Sequence, residues 1–241
     1  MISIVTITPY SRRNVLPLLF QCILSQTKQP DEWVIVEGSR NKEDADKNQL
    51  EIKKFIDANA SFSIVYIAFS KESKLGELRN RGNQSCLGDI IICMDDDDYY
   101  PPMRIQHVVE RFAEFPLLKL AGCTNMLLYD FKKNQFYQCK GYHKNHSTNN
   151  AMAWRKSYLV DHSYDPDKTF GEEASFTNQF TESMIQLHPI HTVITSCHHL
   201  NTFDKTNVLQ SNYFTTLPDS LLEKIIPLDQ FNIYKEICNH L

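Results

Sequence analysis

Residues 95–98 are four consecutive aspartates, and they follow directly on an apolar run from Ile90 to Met94. Adjacent carboxylates at a strand end repel one another, and the usual relief is a divalent cation, whose hard charge prefers oxygen ligands. Tyr99 and Tyr100 come next, then Pro101-Pro102 and a helical pattern from Pro102 to Phe115. A strand, an acidic loop and a helix in that order place the carboxylates at the carboxyl end of a strand, where open α/β sheets bind ligands. An acidic run alone can also be a solvated turn ahead of prolines. The flanking strand and helix favour a metal.

Four further groups have types and positions that can do chemistry. Glu37 ends the apolar stretch Val34 to Val36 and precedes Gly38-Ser39, as a ligand contact or as a plain turn with a helix cap. Arg79 lies on a helical segment leading into the acidic strand, and a guanidinium there suits oxygen-rich partners or simply solvent. Glu172 and Glu173 open a helical pattern, either as a general base or as acids that complement the helix dipole. His198 and His199 follow an apolar strand, within a His-x-x-Asn pattern that ends at Asn201.

These groups need elements to hold them, and the chain alternates short apolar strands with helical periods. Strands are expected over Ile2–Thr6, Glu32–Glu37, Ser63–Phe69 and Asp89–Met94, and helices over Asn14–Ser25, Asp44–Asn59 and Leu75–Ser85. That βαβαβαβ order implies an α/β fold with a mostly parallel sheet and right-handed crossovers. After Phe115 the rhythm changes. Two or three short strands are expected within Lys119–Cys139, another over Ala151–Trp154, a helix over Glu172–Leu187 and a strand over Ile190–Cys197. Two short helices around Pro227 should pack on the body through Leu221, Leu222, Ile225, Ile226, Phe231, Ile233 and Ile237.

The 241 residues can bury a substantial core, and no linker, repeat or low-complexity tract divides them. A domain over residues 1–205 with a C-terminal helical appendage at 206–241, packed on the same body, is the expected organisation. The net charge of −4 argues against a general nucleic-acid binder. No window approaches the roughly 18 apolar residues of a membrane span. Seven cysteines stand singly, without a CxxC pair, which suits reduced thiols in the cytoplasm better than disulfides or zinc.

In their order and spacing, six segments resemble the family 2 glycosyltransferases of the GT-A fold: Ile4–Tyr10, Val34–Ser39, Gly76–Gly82, Met94–Asp98, Gly171-Glu172-Glu173 and His198–Asn201. The resemblance implies a metal-dependent, inverting enzyme that moves a hexose or pentose from a nucleoside-diphosphate sugar, UDP ahead of GDP, to a hydroxyl of a glycan or other acceptor. It assigns Thr6, Thr8, Pro9, Glu37 and Arg79 to the nucleotide. Asp95 and Asp97 become the DxD pair: Asp97 on Mn²⁺ or Mg²⁺, Asp95 on the ribose or a metal-bound water. Asp96 and Asp98 act as supporting groups beside the nucleotide-sugar. Glu173 takes the place of the base, with Glu172 as the alternative, and His199 or His198 that of a late metal ligand. Glu37 and Glu173 stand where the family usually has Asp. Tyr142 can stack on a sugar ring, whereas Trp154 reads as core, and Arg12, Arg13, Lys71 and Lys74 can neutralise donor or acceptor. Two rivals remain at this stage. A sugar-1-phosphate nucleotidyltransferase would need a Gly-rich loop that residues 8–13 lack; the other is a non-catalytic sugar- or nucleotide-binding module.

Overall fold

The structure, a computed structural model, describes residues 1–39, 41–59, 62–69, 71–198, 201 and 212–240. Strand β1 (Ile2–Pro9) runs through a 3₁₀ segment, Tyr10–Val15, into helix α1 (Leu16–Leu24). The pattern repeats with β2 (Glu32–Gly38), α2 (Lys42–Asn59), β3 (Ser63–Phe69), α3 (Leu75–Ser85), β4 (Ile90–Cys93) and α4 (Arg104–Glu114). β1 pairs in parallel with β2 and β4, and β2 pairs in parallel with β3. Parallel strands covered on both faces read as near-continuous apolar runs, and the residues of β1 alternate between two cores. Ile2 and Ile4 pack with α1 and Trp33 on one face, while Val5 and Ile7 pack with Leu78 of α3 on the other. Gly82 lets α3 lie close to the sheet, because a Cβ there would sit 2.7 Å from the Val5 methyl.

The second half completes this sheet and adds a smaller one. β8 (Ala153–Arg155) runs antiparallel between β4 and β5 (Leu120–Gly122), and β9 (Met184–Gln186) pairs in parallel with β5, giving seven strands in the order β3-β2-β1-β4-β8-β5-β9. A four-stranded sheet, β10-β6-β7-β11, consists of β6 (Met126–Asp130), β7 (Gln135–Cys139), β10 (Ile194–Cys197) and β11 (Phe214–Leu217). An antiparallel bridge between Tyr99 and Ile194 ties it to the loop after β4. Helices α6 (Asp219–Ile225) and α7 (Leu228–His240) close the chain, and Leu222, Ile226 and Tyr234 join the cluster that holds Ile4.

One expected element is corrected. The helix over Glu172–Leu187 shrinks to α5 (Glu173–Phe176), and Asn178, Gln179 and Phe180 turn left-handed before β9 begins. The spacing of Phe176, Phe180, Met184 and Leu187 suits a helix, but hydroxyl side chains compete for the backbone. The ladder holds to Thr177, whose N–H and hydroxyl both donate to the Glu173 carbonyl, and departs at Gln179, whose N–H reaches back five residues to Ala174 at 2.6 Å as the backbone turns left-handed; the Thr181 hydroxyl then donates to the Asn178 carbonyl at 2.7 Å. The expected strand from Ile190 also starts later, at Ile194, after a 3₁₀ turn over Pro189–His191. Cys22, Cys86, Cys93, Cys123 and Cys139 are buried free thiols.

Candidate functional site

The carboxyl ends of β1, β2 and β4 open on one side into a cavity of about 620 Å³. Pro9, Gly38 and Arg79 line its sheet end, Asp95, Asp97 and Asp98 its floor, and Glu172 and Glu173 its far wall. The volume falls within the range of small-molecule sites.

Each aspartate of the acidic loop has separate work. Asp98 is buried and braced: its carboxylate accepts the Ser196 backbone N–H at 2.7 Å and the Asn150 amide at 2.5 Å, fastening the loop to β10. Asp96 is fully buried, accepts from the Thr8 hydroxyl at 2.6 Å and lies 2.9 Å from an Arg12 nitrogen. Burial pushes its carboxyl upward from the usual range, and Arg12 and Thr8 oppose that push. Asp97 presents one oxygen, Oδ2, to three groups: Arg12 Nη1 at 2.7 Å, His198 Nε2 at 3.0 Å and Asn201 Nδ2 at 3.2 Å. Asp95 is the most open of the four, and its backbone N–H donates to the Tyr100 hydroxyl at 2.6 Å. Burial works against the charge of Arg12, but the aspartates outweigh it and hold the guanidinium protonated above its ordinary range.

A second ion group joins the acidic loop to the far wall. Arg79, buried on the first turns of α3, donates through Nε to Glu172 Oε1 at 2.6 Å and lies 3.2 Å from Asp95 Oδ1 through Nη1. Burial opposes its charge, and Asp95 and Glu172 more than restore it. With the Asn149 amide assigned so that both its ends are satisfied, its oxygen faces the same guanidinium, 2.9 Å from Nη1, and its nitrogen donates to the Tyr164 hydroxyl at 2.7 Å. Glu172 is thus enclosed and engaged. Glu173, its neighbour, keeps part of its side chain open to the cavity and accepts the Asn149 backbone N–H at 3.2 Å. Burial, with the charge of Glu172 adding to it, pushes the Glu173 carboxyl up to about 7. A carboxylate near neutrality, facing a cavity, has the properties of a general base.

The expected site residues therefore divide. Pro9, Arg79, Asp95, Asp97, Glu172 and Glu173 come together at the cavity. Thr6 does not reach it: it is buried, donates to the Met94 carbonyl at 2.7 Å and accepts from the Trp33 indole at 2.9 Å. Thr8 and Asp96 are buried against each other beneath the floor. Glu37 is also fully buried, accepting from the Ser39 hydroxyl at 2.9 Å and from the Tyr66 hydroxyl. His199 lies outside the described residues, and the imidazole that meets Asp97 belongs to His198. Trp154 is core, and Tyr142 lines the cavity half exposed.

Sequence reasoning gave Arg12 no specific role, and it passed over Asn149, Asn150 and Ser196. The partners of Arg12 lie about 85 positions away, so no local pattern marks it. Among the described residues no three His, Cys, Asp or Glu side chains converge as a ready-made metal cage. Asp97, with His198 beside it and Asp95 facing the same cavity, is nonetheless an oxygen-rich set of the kind that holds Mg²⁺ or Mn²⁺ through one or two carboxylates plus substrate phosphates. No helix among the described residues is long and apolar enough to cross a membrane.

A mostly parallel sheet whose strand ends carry an acidic loop, facing a near-neutral carboxyl across one cavity, has the layout of an α/β ligand-binding site at a sheet's carboxyl edge. Comparison with known proteins narrows the class. The glycosyl transferase family 2 model matches residues 3–197, and the chain belongs to that family. Its structural neighbours have the GT-A fold. A mannosyltransferase from Pyrobaculum calidifontis, solved with GDP-Man and Mn²⁺, superposes with a TM-score of 0.61 at 12% identity over 83% of this chain and 58% of its own. TarS of S. aureus gives 0.56 at 14% identity over 93% of this chain and 42% of its own, and TarS 1-349 was also solved with UDP-GlcNAc. An uncharacterized glycosyltransferase of Haemophilus influenzae is 26% identical over 116 residues, 48% of this chain and 36% of its own length. The chain thus spans less than half the length of TarS and of that relative.

Proposed function

We propose that this protein transfers a sugar from a nucleoside-diphosphate sugar, UDP ahead of GDP, to a hydroxyl of a glycan or other acceptor with inversion at the anomeric carbon. One observation carries this: a single cavity joins an acidic floor suited to a metal-bridged diphosphate to a carboxyl, Glu173, raised to about 7. The solved neighbours with GDP-Man and with UDP-GlcNAc support the donor class.

The nucleoside lies at the sheet end between Pro9 and Gly38, with Glu37 beneath holding Ser39 and Tyr66 in place. Asp95 faces the ribose and is oriented by Arg79 and by the Tyr100 hydroxyl. Asp97, with His198, would hold Mn²⁺ or Mg²⁺, which when bound stabilises the negative charge growing on the departing diphosphate. Arg79 keeps Glu172 in its ion pair, and the two acids therefore differ in state: Glu172 is committed, while Glu173 is free to take a proton. The acceptor hydroxyl approaches Glu173, loses its proton to the carboxylate and attacks the sugar on the face away from the diphosphate. Sequestering the reaction in a walled cavity keeps water from competing as acceptor.

A nucleotidyltransferase is disfavoured by the family match and by the 3₁₀ turn at Tyr10–Val15, which has no glycine. Calorimetric titration with UDP and GDP, first with Mn²⁺ and then with EDTA, tests the donor half of the proposal. Binding that requires metal supports it; equal affinity in both conditions contradicts the metal bridge.

A further inference from the structure

Beside the base wall, four aromatic rings stand in a row on the outer surface. The centroids of Tyr213 and Tyr142 are 4.4 Å apart, those of Tyr142 and His146 5.2 Å, and those of His146 and Phe180 4.8 Å. Tyr142 is 49% exposed and Tyr213 46%, so core packing does not account for them. Tyr142 and His146 line the main cavity and, on their other side, a shallower hollow that Lys144, Gln179 and Thr181 complete. The row is also tied to the chemistry. Asn149, three residues beyond His146, gives its backbone N–H to Glu173.

A second, independent feature lies at the end of the row. Asn178, Gln179 and Phe180 have φ values of 48°, 57° and 59°. The left-handed region is tolerated by Asn178 but unusual for Gln179 and for a bulky residue such as Phe180. Strain of this kind persists where the surroundings hold it, often at binding sites. Here it delivers the Phe180 ring to His146.

We propose that Tyr213, Tyr142, His146 and Phe180 form a stacking platform for a neutral oligosaccharide acceptor, holding the units that precede the one presented to Glu173. Pyranose rings offer apolar C–H faces to aromatic faces and hydroxyls to the edges, and tyrosine matches both with an apolar body and a polar tip. The ring contacts are tilted or edge-on, with interplanar angles of 48°, 79° and 43°, so the row offers successive faces and edges to several sugar units rather than one flat face to a single sugar. Lys144, Gln179 and Thr181 supply donors and acceptors to the hydroxyls. Burial, aided by His143, lowers the His146 pKa, leaving an uncharged ring at neutral pH whose face suits a sugar ring.

The acceptor role of the platform assumes the transferase activity proposed above, so the test reads the two separately. Protein with Mn²⁺ and UDP is applied to a printed array of neutral mono- to hexasaccharides, while UDP binding is followed by calorimetry. The platform predicts that oligosaccharides of two or more units are retained over their monosaccharides. Tyr142→Ala and Phe180→Gly, the latter relieving the strained φ, should each weaken that retention roughly five- to tenfold with UDP affinity unchanged. Equal retention of mono- and oligosaccharides, no retained oligosaccharide, or array profiles untouched by both variants would overturn the platform while UDP still binds. Absence of both UDP and GDP binding in the wild-type protein would overturn the transferase proposal itself.

Discussion

Replacing Glu173 with Gln should make the protein more stable and nearly inactive. Its carboxyl rises from an ordinary 4.5 to about 7 because burial and Glu172 both disfavour the charge. The folded pKa lies above the unfolded one, so this group favours folding fully below about pH 4.5, and that contribution is lost as pH rises through about 7. One pKa unit corresponds to about 1.36 kcal/mol, which bounds the loss at about 3 kcal/mol, and water in the cavity reduces it to about 1–2 kcal/mol. Gln keeps the acceptor for the Asn149 N–H and removes the charge. In a chain of this size about 1 kcal/mol moves Tm by roughly 2–4 °C. Differential scanning calorimetry should therefore show Glu173→Gln melting about 2–8 °C above wild type at pH 8 and level with it at pH 4. Turnover should fall roughly 10²–10⁴-fold with donor affinity kept. A lower Tm at pH 8, or the same gain at both pH values, would refute the electrostatic reasoning. Near-normal turnover would move the base to Glu172.

Arg79→Met leaves Asp95 and Glu172 as uncompensated charges; chemical denaturation should show a loss of about 3–5 kcal/mol. Arg12→Gln removes the competing cation beside Asp97 Oδ2, so Mn²⁺ affinity read by electron paramagnetic resonance without nucleotide should tighten; weaker binding would mean that Arg12 organises the loop for metal. Asp98→Asn turns one of two acceptors into a donor facing the Ser196 N–H, and urea unfolding should report a loss of about 1–3 kcal/mol. Glu37→Ala should weaken UDP and a UDP-sugar by the same factor in calorimetry, since both share the nucleoside; a selective effect on the sugar nucleotide would place Glu37 elsewhere.

The first half of the fold shows in the sequence because parallel strands buried on both faces must be nearly all apolar, as Ile90–Cys93 is and as Ile2–Ile7 is apart from Ser3 and Thr6. The acidic run shows for the opposite reason: adjacent carboxylates repel one another, and the fold itself uses Asp98, on Ser196 and Asn150, and Asp96, on Thr8, while Asp95 and Asp97 face the cavity. Elements past Phe115 are harder, since three-residue strands such as β5 and β9 carry too few positions to display a period. The mistaken helix over Glu172–Leu187 has the right apolar spacing, but periodicity does not register the left-handed turn that Asn178 opens and that ends the helix. Within the site, residue type and order pick out Asp95, Asp97, Arg79 and Glu173, which all line the one cavity. They do not separate His198 from His199, or show that Thr6 turns into the fold, because those depend on which side of a loop a side chain leaves.

The most direct test of inverting transfer in this cavity needs no acceptor. Slow hydrolysis of an α-linked UDP-sugar that binds with Mn²⁺, followed by proton NMR before mutarotation, reads the configuration of the first sugar released. A β-configured product that disappears with Glu173→Gln is the predicted result, and an α-configured product, or hydrolysis untouched by that substitution, would contradict it.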